Sequence, residues 1–114
     1  MLISLRRRER LDGAMPKGYW IARVDVDDEE GYKPYAAANP AIFKKFGGRF
    51  VVRGGKFQSV EGASRTRNVV IEFPTYQAAI DCYNSPEYQE NMKHRLAHSI
   101  GDIIIIEGYD GPQP

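Results

Sequence analysis

Residues 101–107 read Gly-Asp-Ile-Ile-Ile-Ile-Glu. Successive side chains of a strand point to opposite faces, so Ile103 to Ile106 make both faces of one strand apolar. A strand of that kind is covered on both sides. Upstream of it, Asn68 to Phe73 (NVVIEF) is a second strand, rich in branched residues and stopped by Pro74. Arg49 to Arg53 is a shorter one, followed by a Gly54-Gly55 turn, and Lys56 to Glu61 is expected to extend the same hairpin. Gly18 to Val26 (GYWIARVDV) mixes aromatic and branched residues without a helical period and reads as the first strand.

Two helices fit between these strands. Asp27-Asp28-Glu29-Glu30 supplies an N-cap with acids in the first turn. Tyr32, Tyr35, Ala36, Asn39, Phe43 and Phe46 follow at spacings of three and four, and Gly47-Gly48 closes the helix. Pro40 lacks a donor and crowds the preceding turn, so it is expected to interrupt and kink that helix. Thr75 caps the second helix, with Tyr76, Ala79, Ile80 and Tyr83 on one stripe. Asn84 breaks it and Ser85-Pro86 restarts it, with Tyr88, Met92 and Leu96 as the expected apolar stripe.

Strand, helix, strand, strand, helix, strand is the ferredoxin-like βαββαβ arrangement, an α+β fold whose antiparallel sheet carries both helices on one face. The isoleucine run then has a consequence. Two helices cover one sheet face only, and the other exposes too much apolar surface for a monomer. A second copy of the same sheet is the simplest cover, which predicts a homodimer.

Composition narrows the rest. The chain has 114 residues, enough for one domain, with 42% hydrophobic and 27% charged side chains. Residues 1–14 carry a net +2 and read as a disordered extension, and from Met15 onward 12 basic face 13 acidic side chains. The domain is assigned to residues 15–110, followed by a flexible tail over 111–114. Near-neutrality argues against nucleic acid as a partner. No run approaches the roughly 20 apolar residues of a membrane span, so no membrane partner is expected. The single cysteine, Cys82, forms no internal disulfide, reads as a small buried hydrophobe within a packed helix and fits a reducing cytoplasm.

Five segments together resemble a known group: KGYWIARVDV (17–26), GGRFVVRGG (47–55), RNVVIEFP (67–74), YNSPEYQ (83–89) and GDIIIIEGY (101–109). In order and spacing they resemble the bacterial domain-of-unknown-function family "thirteen-thirty", over about Lys17 to Tyr109. That family looks like a branch of the dimeric α+β barrel superfamily, which includes cofactor-free monooxygenases, muconolactone isomerases, chlorite-dismutase-like haem proteins and dye-decolourising peroxidases. The resemblance implies the fold and the dimer, and supplies no reaction.

Candidate chemistry rests on polar groups in apolar settings. Arg23, Arg53 and Glu72 lie on strands; facing one cavity, the arginines would hold an anionic substrate and Glu72 would act as acid or base, whereas a structural ion pair is the plainer reading. Asn39 would orient a substrate carbonyl or cap the turn before Pro40. Tyr83, Ser85 and Tyr88 surround a helix start that could receive a carboxylate, or simply pack. His94 and His98 have the i, i+4 spacing of metal ligands but lack a third ligand, so no metal site is assigned. His94 is kept as a candidate proton shuttle.

The function expected is a cofactor-free enzyme, monooxygenase- or isomerase-like, acting on a small aromatic or carbonyl metabolite. The alternatives are a non-catalytic ligand-binding or stress-associated dimer, and a haem protein with His94 or His98 as the axial ligand.

Overall fold

The computed structural model describes residues 15–114. Strand β1 (Gly18–Val26) is followed by helix α1 (Glu29–Lys45), β2 (Arg49–Arg53), β3 (Arg67–Phe73), α2 (Tyr76–Tyr83), α3 (Pro86–His98) and β4 (Ser99–Glu107). The strands form one antiparallel sheet in the order β2-β3-β1-β4. This is the ferredoxin-like α+β arrangement, with the second helix split in two. The expectation for residues 1–14 lies outside the described residues.

Local chemistry sets the helix ends. Asp28 caps α1, its carboxylate accepting from the Gly31 amide, and Gly47, at φ 79, takes the left-handed position just past the C-cap Phe46. Pro40 does not interrupt α1, nor does Pro34: the helix runs through both. Both prolines lie on its exposed face, so the carbonyls they leave unbonded can be hydrated. Thr75 caps α2 through the Ala78 amide, and Ser85 caps α3 through the Tyr88 amide.

The core lies between the helices and one sheet face. Trp20 is at its centre, edge-on to Phe43 (5.1 Å between centroids) and Tyr88 (4.8 Å), with its indole N–H donating to the Ala79 carbonyl at 2.9 Å. Aromatic pairs of this kind add about 0.5–1.5 kcal/mol each beyond area burial. Gly18 is fixed by close approach, since a Cβ there would come within 2.5 Å of backbone atoms of Thr75 and Tyr76.

Two expectations are corrected. Lys56 to Glu61 does not continue the β2 hairpin, because β3 begins only at Arg67 and Gly54, at φ 65, turns the chain away after its amide bonds the Asn68 carbonyl. Residues 63–66 return across the sheet instead, where Arg65 bridges Asp25 and Asp102 at 3.0 and 3.1 Å. On α3 the inward stripe is Tyr88, Asn91 and Arg95, while Leu96 is 59% exposed. Met92 is only partly buried.

The sheet face away from the helices has an ordered pattern. Ile104, Ile21, Val70 and Val52 stand side by side across all four strands, an unbroken apolar row. Ile104 is 53% and Ile106 46% exposed, whereas Ile103 and Ile105 turn toward the core. Polar rows flank this apolar one. On one side the Glu72 carboxylate accepts from the Tyr19 hydroxyl at 2.8 Å and from Arg49 at 3.0 Å. On the other, Arg23 donates to the Ala63 carbonyl at 3.3 Å.

Candidate functional site: a cleft between sheet and first helix

A cleft of about 340 Å³ opens between α1 and the helix-facing side of β1, β2 and β3. That volume suits a small organic molecule. Its apolar walls come from Trp20, Ala22, Phe43, Phe50, Val69 and Ile71. Strand alternation explains the sheet's part, since Trp20, Val69 and Ile71 project to the same face. Polar side chains enter from two directions. Tyr35 and Asn39 are one helical turn apart on α1, and Arg53 and Arg67 come from the ends of β2 and β3.

Arg53 lies with its guanidinium 4.1 Å from the Phe50 ring centroid, and no ion pair engages it among the described residues. Arg67 lies over the Tyr32 ring at 4.9 Å and reaches Glu29 at 3.5 Å, but its Nε is buried without a partner. Burial, then the neighbouring Tyr35, pushes the Tyr32 phenol up to about 12. Among the described residues, no carboxylate and no imidazole lines the cleft.

Between α1 and α3 stands a buried polar group. The Asn91 amide nitrogen donates to the Asn39 side-chain oxygen at 3.0 Å and to the Tyr35 carbonyl at 3.2 Å. The Tyr35 and Tyr88 hydroxyls are 2.6 Å apart. Arg95, only 7% exposed, adjoins both. Its burial opposes the charge, but the Tyr88 and Tyr35 hydroxyls more than offset this and raise its pKa. Burial likewise drives the Tyr88 phenol far above its ordinary value.

Of the residues singled out from the sequence, the cleft brings together Asn39 and Arg53. Tyr88 lies one hydrogen bond behind it, through Tyr35. Tyr83 packs edge-on against Trp20 and donates to the Met92 sulfur at 3.4 Å. Ser85 is buried, and its hydroxyl donates to the Cys82 carbonyl at 2.8 Å. Arg23 and Glu72 face the opposite side of the sheet, and His94 is exposed on α3. Glu72 is held below the usual carboxylate range by Arg49 and then Tyr19. Among the described residues, no three His, Cys, Asp or Glu side chains converge on a possible metal site.

Tyr35, Arg67, Asn91 and Arg95 were not singled out. Nothing local marks Asn91 and Arg95, because polar residues occur on every face of α3 (PEYQENMKHRLAH).

The five segments and the fold now meet in one result. The chain belongs to the family described as a domain of unknown function, DUF1330, which matches residues 17–109. No curated protein matches the sequence. Among solved structures, this DUF1330 chain is similar to the RPA0582 protein of unknown function from Rhodopseudomonas palustris: TM-score 0.69, 19% identity, covering 84% of this chain and 85% of that one. It is also similar to SnoaB, a cofactor-independent oxygenase from Streptomyces nogalater, with TM-score 0.59, 15% identity and coverage of 87% and 96%. A conserved protein of unknown function from Bacteroides thetaiotaomicron, a possible oxidoreductase, gives TM-score 0.55 at 9% identity, with coverage of 81% and 97%. At these identities the likeness is one of fold. No helix among the described residues is long and apolar enough to cross a membrane.

Proposed function

We propose that this DUF1330 protein is a cofactor-free enzyme acting on a small aromatic or carbonyl metabolite bound in the cleft, and that it works as a cytoplasmic homodimer joined through the open sheet face. The observation that carries the reading is the cleft's make-up: an aromatic and aliphatic interior, with Arg53, Arg67 and Asn39 as its few polar points. A flat apolar ring fits against Trp20 and Phe50, and a negative group on it pairs with Arg53. The cofactor-independent oxygenase sharing the fold is consistent with this chemistry. The step common to oxygenase and isomerase chemistry is loss of a proton from substrate carbon or phenol. With neither carboxylate nor imidazole among the described residues of its walls, the cleft would favour that step by stabilising the resulting anion, the proton leaving to water at the open mouth.

The second reading is a binding protein without turnover, which the missing general base favours. Both are tested with small aromatic acids and ketones. Binders are expected to raise the melting temperature and to quench Trp20, the single tryptophan, which lines the cleft. Arg53→Ala should weaken the acids about tenfold or more, at an unchanged melting temperature without ligand, as loss of a charge-assisted hydrogen bond implies. Binders unaffected by Arg53→Ala would move the site elsewhere. Product formed aerobically in chelator-treated protein separates enzyme from binder. Glu72→Gln and His94→Gln test the remaining candidate catalytic residues, and turnover should persist in both.

A further inference from the structure

We infer that Tyr35 and Asn39 form a paired hydrogen-bond donor for an anionic oxygen of the ligand, aimed into the cleft by the buried Arg95–Tyr88 and Asn91 groups behind it. The inference rests on the cleft being the binding site, and it names the class of ligand: one bound as an enolate or phenolate.

The direction of each hydrogen bond follows from what is buried. The Tyr88 hydroxyl is fully enclosed, and the Tyr35 hydroxyl is its one hydrogen-bonding oxygen among the described residues. If Tyr35 donated to Tyr88, the Tyr88 proton would be left in the core with no acceptor, which is costly. Tyr88 therefore donates to Tyr35. The Arg95 guanidinium beside them has only donors and lacks a carboxylate partner among the described residues, so it supplies no acceptor for either phenol proton. The Tyr35 proton is then the one left free, on a residue that lines the cleft.

Asn39 is fixed by the same reasoning. The Asn91 amide nitrogen is held by the Tyr35 carbonyl as well as the Asn39 oxygen, so the orientation of both side chains is set. Asn39 presents its oxygen to Asn91, and its NH₂ group has no partner among the described residues. Tyr35 and Asn39, i and i+4 on α1, thus offer hydrogens on the same face. Arg53 and Arg67 on the opposite wall are donors too. Among the described residues, every polar side chain of the cleft then has a hydrogen bond to give a ligand and none has a free acceptor to offer it, the arrangement that favours a charged oxygen over its protonated form. The buried Arg95 charge adds a field of the same sign behind Tyr35.

The probe is 4-nitrophenol, whose phenolate is coloured and whose binding is read by quenching of Trp20. The wild-type protein should bind the phenolate about tenfold or more tighter than the phenol, lowering the apparent pKa of the bound probe by about one unit. The neutral 4-nitrotoluene should bind without pH dependence. Tyr35→Phe and Asn39→Leu should each remove most of the preference and leave 4-nitrotoluene affinity unchanged. Arg95→Met should reduce the preference, and Arg95→Lys should restore part of it, a pattern that a packing role alone does not produce. Tyr88→Phe, which removes one oxygen, carries the second-layer test if Arg95→Met does not fold. Equal affinity for phenol and phenolate overturns the inference while leaving the cleft as the site. So does full preference retained in folded Tyr35→Phe and Asn39→Leu. Failure of both probes to quench Trp20 overturns the cleft reading and the inference with it.

Discussion

Cys82 lies on the inner face of α2, fully buried. Burial, with a smaller contribution from Glu87, pushes its thiol up to about 12. The thiolate is the reactive form, so almost none exists at neutral pH in the folded chain. Modification by an aromatic disulfide reagent should therefore proceed at the rate of opening of the α2 region, and fast labelling of native protein would contradict the packing. Glu72 shows the opposite shift. Its carboxyl is depressed by Arg49 and Tyr19, so its stabilising effect is present above the ordinary carboxylate pKa and is lost as pH falls through the lower, folded value. Glu72→Gln should accordingly melt below wild type at neutral pH, and the gap should close on acidification. The effect should be under about 1 kcal/mol, because Arg49 is largely exposed.

Among the elements, the break between α2 and α3 is the most instructive. Ser85 accepts from the Tyr88 amide and donates to the Cys82 carbonyl, so one hydroxyl ends one helix and begins the next. Ser85→Ala should cost about 1–2 kcal/mol in denaturant unfolding and leave affinity for cleft ligands unchanged. This break, the span of β1 and the ends of β2 were readable because each depends on neighbouring residues: a proline after a serine, a pair of glycines, a run of branched side chains. The path of residues 56–61 was not, since it depends on where β3 starts and on Arg65 reaching Asp25 and Asp102. The site divides the same way. Asn39 and Arg53 stand out as polar groups beside apolar residues, whereas Arg95 sits among the polar residues Asn91, Lys93 and His94 with nothing local to mark it. Only the packing of α3 against α1 shows it buried beneath Tyr35.

For the whole molecule, the open sheet face is the governing feature. Its apolar row of Ile104, Ile21, Val70 and Val52 is bordered by the Glu72 and Arg65 ion-pair groups. A twofold pairing of such faces would set row against row and keep the charged borders at the rim. Ile21→Lys, in the middle of the row, should convert a dimer to a monomer in light scattering while the monomer stays folded. A wild-type chain that is monomeric at micromolar concentration would refute the pairing.

β4 is an outer strand of the described sheet, nine residues long, with four consecutive isoleucines. Short stretches that are branched, apolar and free of proline and charge stack readily into intermolecular zippers when they are unpaired. While the chain is still folding, residues 103–106 are such a stretch, and strand β1, with which they pair, is more than 75 residues away in sequence. The colloidal fate of a newly made chain is therefore a race. Either β4 reaches β1 within its own chain, or it meets the same four isoleucines in another.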